Sequence, residues 1–251
     1  MIPIFKFQKP VICLDEIGST NDYLNQLRHG SPIKNGTVVS AGFQTKGRGQ
    51  QGNFWESTAM KNLLFSFVVE PRMLNPEKQF LLSMAISLGI CDYLKTMIPD
   101  AKIKWPNDIY TRNNKIAGIL IENQFFGSGW SYSIAGVGFN VNQKHFSKAV
   151  PNAISLSIIK NVDFDLNDVL QSILRSMEFR INQLYYQEYE NLKTEYLQNL
   201  YLMQQKAMYR SGKDVYMAKI EDVGMDGQLT IEMENGKTKK FYFKEIEFIP
   251  E

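Results

Sequence analysis

Gln44-Thr45-Lys46-Gly47-Arg48-Gly49-Gln50-Gln51-Gly52-Asn53-Phe54-Trp55 separates two strand-like runs, residues 36–43 and 63–69. Three glycines, two cations and almost no aliphatic side chain exclude the stretch from a core, so it reads as a loop joining two sheet elements. Glycine permits positive φ and close approach of a ligand, while Lys46, Arg48 and free backbone N–H groups offer donors to an anion. The same composition also suits a surface connection, and the neighbouring segments have to decide.

Outward from the loop the chain alternates strands and helices. Residues 11–14 open with a short apolar run. Ser19 or Thr20 can then cap a helix carrying Tyr23, Leu24 and Leu27, which Gly30 and Pro32 stop. Beyond the loop, Phe80, Leu81, Met84, Leu88, Cys91 and Leu94 recur at helical spacing up to about Pro99. Residues 103–110 form a strand that breaks at Pro106-Asn107-Asp108, and 116–122 and 132–141 supply two more across short polar turns, including Gly127-Ser128-Gly129. This spacing predicts an antiparallel meander. Val169, Leu170, Ile173, Met177, Ile181 and Leu184 mark another helix, and 189–202 a further one whose tyrosines read as core.

From about Gln205 the texture changes to short strands with turn signals, Asn235-Gly236 being the strongest hairpin cue. The predicted architecture is α+β: a mixed, mostly antiparallel central sheet with packed helices over residues 1–204, then a small β-barrel over 205–251. Fewer than fifty residues make a marginal domain, so the barrel is expected to lean on the larger one.

Composition narrows the function classes. In 251 residues, 44% hydrophobic and 22% charged describe an ordinary folded protein, and a net charge of +2 gives no support for broad nucleic-acid binding. Cys13 and Cys91 lack a CxxC partner, and two histidines do not complete a usual zinc site. No metal ligand is assigned. The first ten residues lack a signal-peptide pattern and no run is long enough for a membrane span, so the cytoplasm is expected.

Three polar clusters fall at the ends of neighbouring strands: Ser19-Thr20-Asn21, the opening loop, and Lys104-Trp105-Pro106-Asn107-Asp108 with Lys115 after it. The loop is neither a Walker A motif nor GxGxxG. The residues alone therefore say only that an anion, such as a phosphate, is held by glycines and cations.

Residues 47–55, Lys104-Trp105-Pro106-Asn107-Asp108, Lys115-Ile116-Ala117-Gly118-Ile119-Leu120-Ile121-Glu122 and Gly136-Val137-Gly138-Phe139-Asn140-Val141-Asn142 together resemble biotin protein ligases, four motifs in the family's order. The resemblance implies the biotin/lipoate ligase catalytic fold followed by an SH3-like barrel. It also implies a two-step reaction: biotin and ATP with Mg²⁺ give biotinyl-5′-AMP and pyrophosphate, then the biotinyl group passes to one lysine of a biotin carboxyl carrier domain. Bringing a carboxylate to a phosphate requires fixed cations. By similarity Arg48, Lys104 and Lys115 meet those anions and, with Asp108, form the catalytic set. Asp108 is compatible with binding Mg²⁺ through water, orienting a lysine, or deprotonating the acceptor amine.

By the same resemblance Ser19, Thr20, Asn21, Gln44, Arg48, Gly49, Gln50, Lys115 and Gly118 belong to the biotin site. Arg48, Trp55, Asn107, Lys115, Gly136, Gly138 and Asn140 belong to the ATP site. Trp55 either stacks on the nucleotide or closes the loop against the core. Many members carry arginine where this chain has Gln50, so a weaker hold on the adenylate is expected. The catalytic pattern starts within about a dozen residues of Met1, so an enzyme of the type without an N-terminal DNA-binding domain, and no partnership with DNA or membrane, is expected. Homodimerisation through the central sheet is implied by the resemblance alone. A lipoate or octanoate ligase and a non-catalytic biotin- or nucleotide-binding module are the alternatives.

Overall fold

The computed structural model describes residues 4–30, 33–50, 52–71, 74–127 and 129–249. Pro32, Gln51 and Ser128, read above as turn or loop residues, lie outside them, as do residues 1–3. The strands of the larger unit are β1 (Ile12–Ile17), β2 (Val38–Gln44), β3 (Leu63–Val69), β4 (Ala101–Lys104), β5 (Asp108–Thr111), β6 (Asn114–Phe126) and β7 (Gly129–Phe139). They form one sheet in the order β1-β2-β3-β7-β6-β5-β4, in which β1 and β2 are parallel and the other pairs antiparallel. Strands β4 to β7 make the expected meander. The single predicted strand over 103–110 is two strands, because Trp105, Pro106 and Asn107 form the turn between them.

One face of the sheet carries the main core. Strand side chains alternate between faces, which sends Leu63, Phe65 and Phe67 of β3, Ala135, Val137 and Phe139 of β7, and Ala117 and Ile119 of β6 into one apolar cluster. Helix α1 (Thr20–Gly30) lies on the other face. Helices α2 (Phe80–Lys95), α3 (Leu156–Lys160), α4 (Leu166–Tyr185) and α5 (Tyr189–Gln198) follow in the chain. Helix α2 is buried on nearly all sides, against α4, α5 and the sheet, which is why its apolar pattern extends beyond one stripe. Of the tyrosines in 189–202, Tyr196 is a core residue, as the helical spacing predicted, and Tyr189 and Tyr201 are half-buried.

On the opposite face α1 covers only part of the sheet, packing Leu24 on Val39, Val68 and Ile134. The uncovered remainder is defined by register: Lys104, Asp108, Gly118, Gly138 and Leu64 form one cross-strand row, and Leu120, Gly136 and Ser66 the next. Paired residues project from the same face, so glycine sits beside glycine and the sheet has a bare floor there.

Strands β8 (Ala207–Ser211), β9 (Asp214–Val223), β10 (Leu229–Met233), β11 (Thr238–Phe241) and β12 (Glu247–Ile249) form a second, antiparallel sheet in the order β11-β10-β9-β8-β12. The Asn235-Gly236 hairpin joins β10 to β11 with Gly236 at φ 75°. This unit matches the expected small β module, with the difference that no pairing between β11 and β12 closes it among the described residues. Tyr209, Ile220 and Ile231 belong to the same apolar cluster as α2, so the two units share a core. The Trp105 indole donates to the Gly227 carbonyl (3.0 Å), tying the β4–β5 turn to the second sheet.

Candidate active site

A cleft of about 300 Å³ opens over the glycine floor. Its head end is built by Ser19, Thr20, Asn21 and Gln44 at the start of α1 and the end of β2. Ser19 is the N-cap: its carbonyl accepts from Tyr23 N–H (3.0 Å) and its hydroxyl weakly from Asp22 N–H (3.4 Å). The Gln44 side-chain Oε1 accepts from the Thr20 backbone N–H (2.7 Å) and lies 3.0 Å from the Thr20 hydroxyl. Thr20 and Ser66 hydroxyls lie 2.6 Å apart, and Ser66 donates to Asn21 Oδ1 (2.6 Å). Thr20, Asn21 and Ser66 are buried and Gln44 half-buried, and these side chains are held by one another, which offsets the cost of their desolvation.

The glycine-rich stretch folds back on itself. Gly49 N–H donates to Asn53 O (2.9 Å), Trp55 N–H to Gly47 O (3.0 Å), and Gly52 takes φ 84° in the turn. The Arg48 guanidinium pairs with Asp22 (2.5 Å) and, through both terminal nitrogens, with Glu122 (3.1 and 3.3 Å). Both Nη2 protons are hydrogen-bonded this way, Nη1 meets Glu122 as an ion pair, and the Nε proton is not taken by these two carboxylates.

The Trp55 indole lies on the floor. A Cβ at Gly138 would come within 2.3 Å of the ring and one at Gly118 within 3.0 Å, whereas one at Gly136 would meet Asn21 Oδ1 at 2.3 Å. Gly138 and Gly136 were expected to admit the nucleotide; what approaches them here is Trp55 and Asn21. Trp55 also borders a second cavity of about 150 Å³, lined by Tyr110, Asn140, Phe146, Val150 and Pro151 among others. Asn140 is 3% exposed, and the side-chain oxygen of Asn140, the indole nitrogen of Trp55 and the side-chain oxygen of Gln50 are buried with no hydrogen-bond partner among the described residues. Bordering the two cavities, these atoms are open to a ligand's hydrogen bonds, unlike the unpaired hydroxyls of Ser87, Tyr196 and Tyr209, which line neither cavity.

Lys115 borders both cavities, pairs with Asp108 (2.7 Å) and has its ammonium 5.5 Å from the centre of a Trp55 ring. Its backbone is clamped by residues 152–154: Lys115 N–H donates to Asn152 O (2.6 Å), and Ile154 N–H to Lys115 O (3.0 Å). Lys104 shares the cross-strand row yet lines neither cavity. Its ammonium sits 4.5 Å from the Tyr110 ring and 5.1 Å from that of Phe248, and burial lowers its pKa from the ordinary lysine value. The Asn107 amide is committed to the Ile119 carbonyl, fixing the turn to β6. Gly49, Gln50, Asn107 and Asp108 line the main cleft with the head-end residues.

Sequence reasoning missed three polar residues and one wall. Ser66 and Glu122 complete the polar chain, Asp22 pairs with Arg48, and Phe243, Ile246, Glu247 and Phe248, on β12 and the segment before it, form a wall of the cleft. Strand alternation from Gly118 to Glu122 was a usable signal for Glu122. The wall lies more than a hundred residues away along the chain and carries none. Among the described residues no group of three or more His, Cys, Asp or Glu converges to hold a metal ion, and Asp108 is engaged with Lys115. The described residues thus offer no all-protein metal cage, and a metal carried by substrate phosphates would need only one or two carboxylates.

The model of the biotin/lipoate A/B protein ligase family matches residues 14–140. A Mycobacterium tuberculosis protein named biotin–[acetyl-CoA-carboxylase] ligase is 35% identical over 173 residues, covering 67% of this chain and 62% of that protein. The Escherichia coli bifunctional ligase/repressor BirA is 28% identical over 180 residues, covering 71% and 55%. The matches thus span between half and two thirds of those relatives. The structure of Aquifex aeolicus biotin protein ligase in complex with biotin and ATP superposes with a TM-score of 0.79 at 25% identity, covering 97% of this chain and all of that one.

Proposed function

The chain belongs to the biotin/lipoate A/B protein ligase family, and we propose on that premise that it is an ATP-dependent biotin protein ligase acting on a lysine of a biotin carboxyl carrier domain. One observation carries the reading: a single cleft has a neutral hydrogen-bonding head end at Ser19, Thr20, Asn21 and Gln44, and cations Arg48 and Lys115 across a glycine floor. A ureido ring needs the first and a carboxylate meeting a phosphate needs the second.

In the first step a biotin carboxylate oxygen forms a bond to the α-phosphorus of ATP and the bond to the departing pyrophosphate breaks. Arg48 and Lys115 relieve the repulsion between the two anions, and Asp108 holds the Lys115 ammonium in place. Lys104, outside the cavity wall, contributes charge at a distance. The smaller cavity takes the adenine, whose amino group suits the unpaired Asn140 oxygen, with Trp55 between the two compartments. In the second step the acceptor amine attacks the acyl carbon and AMP departs. Mg²⁺ arrives with the nucleotide's phosphates, its usual mode of binding.

The cytoplasm is the setting of this reading, and a homodimer through the central sheet remains part of it. Gln50 leaves the adenylate less tightly held than arginine does, so Gln50→Arg slows adenylate release in a pulse-chase measurement; unchanged release refutes that point.

The test is incubation with ATP, Mg²⁺, an apo carrier domain and either biotin or lipoate, reading mass gain on the carrier lysine. Gain with biotin is expected. Gain with lipoate alone, or none, overturns the reading.

A further inference from the structure

A carboxylate beside a site that gathers anions is electrostatically costly, yet Glu122 stands behind two cleft-lining residues, Asn21 and Arg48, on β6 two strand positions beyond Leu120 and on the same face as Gly118. Its partners explain it. Glu122 Oε2 accepts from Asn21 Nδ2 at 2.7 Å, and its two oxygens take a two-pronged pair from Arg48 at 3.1 and 3.3 Å. Because a carboxylate only accepts, Asn21 must turn its NH2 toward Glu122 and its oxygen toward Ser66, whose hydroxyl donates to it. A continuous polar chain then runs from Gln44, which accepts from the Thr20 backbone N–H, through the Thr20 hydroxyl donating to Ser66, to Asn21, Glu122 and Arg48.

We propose that Glu122 is a positioning residue that couples recognition of the ligand's polar head at Asn21 to the placement of the Arg48 guanidinium. Asp22 also pairs with Arg48, but its side chain is 48% exposed against 25% for Glu122, and it has no recorded bond to Asn21. Glu122 therefore joins the two ends of the site. It fixes the planar fork of Arg48 through Nη2 and the Nη1 ion pair while leaving Nε for the ligand, and it fixes the orientation of the Asn21 amide beside the head. This inference rests on the biotin ligase reading.

The diagnostic variant is Glu122→Gln, nearly isosteric, able to donate as well as accept, and uncharged. Both locks are released. Biotin KM is expected to rise about three- to tenfold, the range for a partly exposed charge-assisted pair, while ATP KM, which feels only the Arg48 lock and not Asn21, rises less and Tm is almost unchanged. Glu122→Asp, which keeps an acceptor-only charge, recovers part of the biotin KM. In the ligand-free protein trypsin is expected to cut after Arg48 several-fold faster in Glu122→Gln than in wild type.

Wild-type biotin KM together with a wild-type cleavage rate overturns the proposal. So does an equal rise in both KM values accompanied by a lowered Tm, which marks a structural role only. If the wild-type protein transfers no biotin, the ligase reading has failed instead, and the tryptic comparison, which needs no substrate, still decides whether Glu122 holds Arg48.

Discussion

Gly138→Ala tests the glycine floor directly. Gly138 is not among the residues with positive φ, so its backbone accepts alanine and the cost is steric. The new methyl would lie 2.3, 2.6 and 2.7 Å from three Trp55 ring atoms, so the indole has to move. Overpacking in a closed core costs about 1–3 kcal/mol. Here the ring can yield toward the open cleft, so the stability loss falls at the low end, about 1 kcal/mol, or roughly 2–4 °C in Tm for a chain of this size. The ligand bears the larger effect: kcat/KM for carrier biotinylation is expected to fall at least about tenfold, equivalent to about 1.4 kcal/mol. Gly118→Ala meets Trp55 at 3.0 Å and otherwise the flexible end of Lys115 at 3.1 and 3.2 Å, so its loss should be smaller. Adding Trp55→Phe to Gly138→Ala should recover part of the activity relative to the sum of the single losses. Strict additivity of the two, or a wild-type kcat/KM in Gly138→Ala, refutes the reasoning.

Other outcomes follow from groups farther out. Arg180, 8% exposed, pairs with Asp92 and Glu195 at 2.6 Å each on the helical face away from the cleft; Arg180→Met leaves two carboxylates about one-third exposed, and denaturant unfolding should show a loss of about 2–3 kcal/mol with unchanged KM values. Burial pushes the Cys91 thiol up to about 11, while Cys13 is exposed, so a thiol reagent at pH 8 should titrate one cysteine in the native protein and two in denaturant. An amine is cationic below its pKa, and burial lowers that of Lys104, with Asp108 opposing and Lys115 reinforcing in smaller measure. Its charge is thus lost at a lower pH than an ordinary lysine's. Activity should decline along that alkaline limb, and Lys104→Arg, which does not titrate there, should move the decline to higher pH.

Local signals made the elements legible, and motif order made the cleft legible. The meander follows from polar turns between apolar runs, and α4 from its three- and four-residue spacing. The split of 103–110 into two strands was less legible, because alternation continues through Lys104 and Trp105 while Trp105 is committed to the second sheet. Gly136 and Gly138 were recognised as places of close approach, yet nothing in a sequence says whether a ligand or another part of the chain will occupy the space. That depends on register, which pairs Gly138 with Gly118 and Gly136 with Ser66 and Leu120. The polar chain through Ser66 and Glu122 depends on the same register.

The second sheet is where local reading ran out and where the structure adds most to the chemistry. Phe248 on β12 packs at a tilt against Tyr209, fully buried in β8, and its ring centre lies 5.1 Å from the Lys104 ammonium. A cation set between Tyr110 and Phe248 is dehydrated by both, so the lowered pKa of Lys104 depends on the small sheet being docked. Docking in turn depends on Trp105, the next residue, whose indole is anchored to Gly227 and packs near Phe243. Lys104 and Trp105 thus alternate in direction for a reason: one side chain sets charge beside the cleft and its neighbour secures the wall that keeps that charge dry.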